Sequence, residues 1–314
     1  MTRITLFRWL RRVIFLVLIF TSLVFLVVLP IGGSFLITNS RFRFNERGPR
    51  RPEALGLSVT PVEFTSSDGI RLRGWWNPGA AAMPVIVFVH GLNRSRLELL
   101  ERGAESNRRG YGILLFDLRN HGESGNAHTT LGINERRDVC AAQQFVKGRA
   151  GNRIQILWGV SMGASSALLA AKQCPEAAAV VSDSSFSSFR ETIGHHLGLF
   201  FRLPPFPIAN LIVLATQIRA GFNADDGDVK AAVRQLDIPI LFIAGSADRR
   251  MPPELAEKMF AEARSPLTSL VVIPGAQHGE AFATAKAKYL DAVYAFLNKV
   301  ARHVQTVSHE VHRP

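Results

Sequence analysis

Cysteine is almost missing from this chain. Cys140 and Cys174 are the two it has in 314 residues, which is no disulfide framework, and both read as buried free thiols. Metal and nucleotide signatures are missing too. The sequence has no H-E-x-x-H, no cysteine cluster and no G-x-x-x-x-G-K-[ST], so no metal site is expected and nothing asks for a cofactor. Repeats and low-complexity blocks are absent as well. Charge is missing where its absence says most: no Asp, Glu, Lys or Arg lies between Val13 and Ser40. A helix over those residues would reach about 42 Å, more than a hydrocarbon core of about 30 Å.

One transmembrane span therefore fits, ending near the Pro30–Gly33 break or soon after it. Arg3, Arg8, Arg11 and Arg12 ahead of the run also suit the basic end of a cleaved secretory signal. The apolar run is longer than the usual ~7–15 residues of such a signal, and no A-x-A-type cleavage site follows, so the expectation is an uncleaved anchor. A soluble core helix would show a polar face, which this one lacks.

The net charge of +12 would suggest nucleic acid if it were spread over a folded surface. It is not. Residues 1–52 hold nine arginines and one glutamate, and the remaining 28 basic and 24 acidic residues leave only +4. The excess flanks the apolar run, where arginine meets anionic headgroups. Membrane lipids are thus the expected partner, with no nucleic acid and no obligate protein partner. Because arginines stand on both sides of the span (Arg41, Arg43, Arg47, Arg50 and Arg51 follow it), the positive-inside rule leaves the side of the folded domain open.

Beyond the span, Arg41–Pro52 reads as a linker. Strands are expected at Val59–Thr65, Ile70–Trp76, Val85–Val89, Gly112–Phe116, Ile154–Trp158, Ala178–Val181, Ile238–Ala244 and Leu267–Ile273, several of them short runs with no polar alternation. Helices are expected near 95–109, 133–148, 162–173, 253–264 and 280–302. Alternation of this kind argues for an α/β fold, a doubly wound sheet with helices on both faces. The stretch from Asp183 to Asp237, rich in phenylalanine and proline, breaks the rhythm and reads as a helical cap or as ordinary extra packing. The expected division is a basic N-terminal segment, placed in the cytosol, with the anchor over 1–40, then a linker over 41–58. An α/β domain follows over 59–302 with its cap at 183–237, and a flexible tail over 303–314.

Gly159-Val160-Ser161-Met162-Gly163 is a G-x-S-x-G motif between an expected strand and an Ala/Leu-rich helix. A serine on that turn projects its hydroxyl from the carboxyl edge of the sheet, at a helix N-terminus that favours negative charge. Such a hydroxyl needs a base, and the base needs a carboxylate to orient it. Asp248 and His278 follow later strands, in the order Ser, Asp, His. Asp183 also follows a strand and is the alternative acid. Asp117 reads as a turn residue, and His90 and His121 as residues that fix loops. Donors for a developing oxyanion are expected from the backbone N–H of Met162 and of Leu92, the latter in the loop His90-Gly91-Leu92-Asn93.

His90-Gly91, Asp117-Leu118-Arg119-Asn120-His121-Gly122-Glu123-Ser124, Gly159–Gly163, Ala247-Asp248 and Gln277-His278 together resemble the α/β-hydrolase superfamily. Within it the pattern is similar to serine aminopeptidase-like (hydrolase_4) domains and to membrane-tethered α/β-hydrolases, over about 59–300. The resemblance implies an eight-stranded, mostly parallel sheet with a cap between the sixth strand and the acid-bearing strand. It also implies acyl-enzyme chemistry: Ser161 attacks, His278 shuttles protons and Asp248 orients His278. Asn120 stands where such proteins often have glycine, and asparagine tolerates the left-handed conformation that the turn needs. Three functions remain open. One is a membrane-bound esterase, thioesterase or lipase taking a small-molecule or lipid-like acyl substrate; the others are a peptidase or amidase, and a non-catalytic binding protein.

Overall fold

The computed structural model describes residues 3–39 and 48–311. Arg41, Arg43 and Arg47 of the expected linker, and His312 of the expected tail, lie outside the described residues. At the N-terminus, α1 (Arg3–Leu23), a π-helical turn (Val24–Val28) and α2 (Leu29–Thr38) follow one another as one helix. The sequence suggests a break at Pro30–Gly33, yet the helix runs through it. Proline has no N–H to donate and crowds the carbonyl four residues back. The wider turn just before it, in which Leu29 N–H donates to Val24 O, accommodates the ring. Ile4–Thr38 is 35 residues long and apolar enough to cross a membrane.

The sheet comprises β1 (Thr60–Thr65), β2 (Arg71–Asn77), β3 (Val85–Val89), β4 (Gly112–Phe116), β5 (Gln155–Val160), β6 (Ala177–Asp183), β7 (Ile240–Gly245) and β8 (Ser269–Ile273). Its order is β1-β2-β4-β3-β5-β6-β7-β8; β2 alone runs against its neighbours, and β3 to β8 are all parallel. Strands covered by helices on both faces need no polar alternation. Accordingly every residue of β3, β4, β5 and β7 is buried. Val85, Val87 and Val89 pack into one core layer, Ile86 and Phe88 into the other.

The helices are α3 (Leu100–Arg108), α4 (Glu135–Ala150), α5 (Met162–Gln173), α6 (Phe189–Phe201), α7 (Ile208–Ala220), α8 (Val229–Val233), α9 (Pro253–Glu262), α10 (Ala281–Thr284) and α11 (Lys286–Val311). On one face of the sheet, α4, α5 and α9 contribute Val139, Leu168 and Met259 to the core; on the other, α3 and α11 contribute Leu100 and Val293. The last helix continues past Arg302, where the sequence suggests a tail. Between β6 and β7 the chain leaves the sheet to form α6, α7 and α8.

One expectation is overturned. Cys140 on α4 and Cys174 just after α5 are not free thiols but a disulfide, with Cα atoms 5.8 Å apart. The two helices lie side by side on the sheet, and that packing brings together residues 34 apart in the chain.

The N-terminal helix is seated on the domain rather than merely joined to it. Pro30, Ser34 and Thr38 recur every four residues, so they share one face of α2, and all three are buried. Gly33 lets α2 come close to α7, since a Cβ there would lie 3.2 Å from Ile212. Arg219 of α7 donates from Nε to Thr38 Oγ1 at 2.9 Å and covers the Phe35 ring at 3.5 Å. The Thr38 carbonyl accepts from Asn120 Nδ2 at 3.3 Å and from Thr129 N–H at 3.1 Å. Asn120 takes the left-handed conformation, φ 61°. Its side chain thus satisfies the helix end in a way that glycine could not.

Candidate active site

Ser161 sits between the end of β5 and the start of α5 with φ 53° and ψ −120°. This conformation is strained for a residue with a Cβ, and the neighbours show why it is held. A Cβ on Gly159 would come within 2.4 Å of the Gly163 carbonyl carbon, and one on Gly163 within 2.1 Å of Val89 O. With glycine at both positions the chain can turn this sharply against β3, and Ser161 N–H ties the start of the turn to the end of β6 by donating to Asp183 O at 2.8 Å. The hydroxyl stands at the N-terminal end of α5, where the helix dipole favours negative charge.

Ser161 Oγ lies 2.8 Å from His278 Nε2, and His278 Nδ1 lies 2.8 Å from Asp248 Oδ2. Asp248, in the loop after β7, has no solvent-exposed side-chain surface. Its Oδ1 accepts from the backbone N–H of Arg250 at 2.9 Å and of Met251 at 2.8 Å, which fixes the carboxylate and aims Oδ2 at the imidazole. His278 comes from the loop after β8. Three loops at the carboxyl edge of the sheet therefore bring together three residues separated by up to 117 positions.

The other candidates have different surroundings. Asp183 is buried and engaged elsewhere: Tyr289 Oη donates to it at 3.0 Å and Ser184 Oγ at 2.9 Å. Burial pushes its carboxyl above the usual range, against the opposing pull of Arg102. Asp117 accepts from the backbone N–H of Arg96 and of Glu123, at 2.8 and 2.9 Å, and so holds its turn. His90 Nε2 accepts from Leu118 N–H at 3.0 Å, and His121 Nε2 from Asn93 N–H at 3.1 Å. These two rings pin neighbouring loops. Leu92 and Met162 line the same cavity as Ser161 and His278, and among the described residues no acceptor takes the N–H of either.

This arrangement of strand, elbow and late His is that of a known family: residues 86–292 match the model of the alpha/beta hydrolase family. The chain belongs to the α/β hydrolase family. Among its relatives, the uncharacterized protein YqkD of Bacillus subtilis is 26% identical over 247 residues, covering 78% of this chain and 81% of that protein. Among solved structures, the Pyrococcus furiosus esterase Pf2001 is 23% identical with a TM-score of 0.69, covering 84% of this hydrolase-family chain and 98% of that one. A membrane phospholipase A described as a bacterial virulence factor is 16% identical with a TM-score of 0.56, covering 94% of this chain and 99% of that one. At these identities the likeness is one of fold.

The cavity over Ser161 has a volume of about 600 Å³, within the roughly 300–1,000 Å³ typical of small-molecule sites. Residues between β6 and β7 such as Phe186, Ile193 and Leu197 make it largely apolar. Sequence reasoning missed two polar groups in its lining, His196 and Arg250. His196 Nε2 is buried with no partner among the described residues. Burial holds the His196 imidazole down at about 4, assisted by the nearby charge of Arg250. Both residues lie outside any recognisable motif, so no local sequence signal marks them.

Proposed function

We propose that this protein is a membrane-anchored serine hydrolase that cleaves carboxylic ester or thioester bonds of acyl, lipid-like substrates. The observation that carries the reading is the continuous relay from Ser161 through His278 to Asp248, at the floor of an apolar cavity. Ser161 Oγ attacks the acyl carbon while His278 Nε2 takes its proton; Asp248 holds the ring and balances the imidazolium. The oxyanion is met by the N–H groups of Leu92 and Met162. Collapse of the tetrahedral adduct expels the alcohol or thiol, which His278 protonates, leaving an ester on Ser161. Water, deprotonated by His278, then attacks that ester and releases the acid.

The exposed apolar helix and its seating on the domain support an anchor over a cleaved signal, because Pro30, Ser34 and Thr38 would lose their packing on cleavage. The Cys140–Cys174 bond supports a domain facing an oxidising compartment, since reducing cytosol keeps thiols free. Where the flanking arginines favour neither side, it favours the orientation with Arg8, Arg11 and Arg12 in the cytosol. The serine aminopeptidase-like pattern keeps amide hydrolysis as the alternative, and the apolar lining favours acyl esters over it.

Labelling with a fluorophosphonate probe tests the reading. The full-length protein should label, Ser161→Ala should not, and Asp248→Asn should label far more slowly. A folded protein that never labels would point to a binding protein instead. Faster turnover of peptides than of acyl esters would point to the amidase.

A further inference from the structure

The cavity over Ser161 is not closed by the cap alone. Val28, Leu29, Gly32, Gly33, Leu36 and Ile37 of the N-terminal helix line it as well. Their spacing of four and one residues makes a single stripe along one side of the helix. The stripe begins deep in the apolar run. Counted from Val13, an apolar helix crosses a hydrocarbon core in about 20 residues, that is by about Gly32. Val28 and Leu29 then stand at hydrocarbon depth, and Leu36 and Ile37 at the interface. The same void therefore touches the span at one end and Ser161 at the other.

Two further observations bear on what fills it. Gly32 has no neighbour within 4 Å of where its Cβ would be, so the missing side chain leaves open space on the cavity side. Beside the mouth, the cap exposes Phe200, Phe201, Phe206, Leu214 and Ile218, with Phe206 75% and Ile218 76% exposed. A patch of this kind in water marks a contact surface. It belongs to α6, α7 and the turn between them, and α7 is the helix that packs on α2. The occupant consistent with all of this is the bilayer. A methylene is about the size of a water, roughly 30 Å³, so about 600 Å³ has room for an acyl chain on the order of 20 carbons.

We propose that the anchor helix is itself one wall of the acyl site: a long-chain acyl ester of a membrane lipid enters sideways from the hydrocarbon, along Val28, Gly32 and Leu36, to reach Ser161 without crossing water. This rests on the hydrolase reading and adds to it the substrate class, a long-chain ester already resident in the membrane. It gives the helix a role in specificity as well as attachment.

The test uses the full-length protein in phosphatidylcholine vesicles, with palmitoyl and butyryl umbelliferyl esters and with fluorophosphonate labelling of each variant. Gly32→Phe adds a Cβ with no neighbour within 4 Å, extends a ring from it into the open space, and replaces glycine in a helix with a better helix former. The ratio of palmitoyl to butyryl kcat/KM should fall by about tenfold or more, the scale on which an obstructed apolar subsite discriminates. Ile31→Phe, at the same depth but outside the cavity lining, should leave the ratio within about twofold, since a surface change away from such features has little effect. Leu36→Trp provides a second obstruction with the same expected direction. If Gly32→Phe and Leu36→Trp label normally and keep the wild-type ratio, or if Ile31→Phe lowers it equally, the inference is overturned while the hydrolase reading stands. A wild-type protein that does not label would overturn both.

Discussion

Removing the Cys140–Cys174 bond perturbs two things at once, the packing of α4 on α5 and the argument for an oxidising compartment. The bond closes a segment of 34 residues. In the chain-entropy account a cross-link of that span confines the unfolded chain by about 4 kcal/mol, and native disulfides typically contribute about 2–4 kcal/mol. For a domain of this size each kcal/mol moves the unfolding midpoint by about 2–4 °C. The Cys140→Ala/Cys174→Ala protein should then unfold roughly 5–15 °C below wild type. Turnover should change little, because Cys174 lies just past the far end of the 12-residue helix α5 from Ser161, and so about 20 Å away. Thermal unfolding of the full-length protein in detergent, followed by tryptophan fluorescence with and without reductant, gives the midpoints. Alkylation of freshly isolated membranes with a mass-tagged maleimide gives the thiol state. Wild type should take up the tag only after reduction, and its reduced midpoint should fall to that of the double variant. Two thiols that alkylate without reductant, or a midpoint that ignores the bond, would refute the reasoning and the orientation drawn from it.

Three further outcomes are expected. Ser161→Gly should be more stable than Ser161→Ala by about 1 kcal/mol in denaturant titrations, because both lose the hydroxyl but only glycine relieves a positive φ that costs on the order of 1–3 kcal/mol; equal stabilities would show that the elbow stores no strain. Asp138→Ala should cost about 3 kcal/mol or more, since it strips Arg119 of the buried carboxylate that its backbone N–H, Nε and Nη2 bond at 2.7–3.1 Å, leaving a buried cation with Asp68 alone; a loss under about 1 kcal/mol would rule that out. His196 supplies a pH dependence. Its folded value of about 4, held there by burial and then by Arg250, lies below the ~6.5 of a free imidazole. Between those values the unfolded chain binds a proton that the folded protein refuses, so the stabilisation is complete above pH ~6.5 and drains away as pH falls toward ~4. The full shift corresponds to at most about 3 kcal/mol, and partial exposure reduces it to about 1–2 kcal/mol. His196→Phe should flatten the stability profile across that window, and an unchanged slope would exclude His196 as its source.

Much of this was legible in the residues. Val85–Val89 and Gly112–Phe116 read as strands with their observed ends because an apolar run covered on both faces has no polar alternation to blur it. The helix over 162–173 was equally plain, since two glycines and a serine set its start. The serine, aspartate and histidine came from order and loop type, and the fold brings those three side chains within hydrogen-bond reach. What stayed hidden was tertiary. Nothing local pairs Cys140 with Cys174, whose meeting depends on how two helices lie across a sheet. Pro30 and Gly33 look like breakers in isolation, but a π turn makes room for the first and Ile212 packs against the second. The stripe from Val28 to Ile37 is invisible within a run that is apolar all round, because only the neighbouring cap distinguishes the side that faces Ser161.

The capture of Thr38 by Arg219, Asn120 and Thr129 removes the swivel that a flexible tether would leave. In the proposed membrane-anchored protein these contacts limit how far the domain can lean away from the bilayer, and its search for substrate becomes planar. For the proposed membrane-resident ester, the concentration that governs turnover is then molecules per unit area rather than per unit volume. Diluting the substrate with inert lipid slows such a protein, while diluting the same vesicles in buffer leaves each molecule working at its former pace.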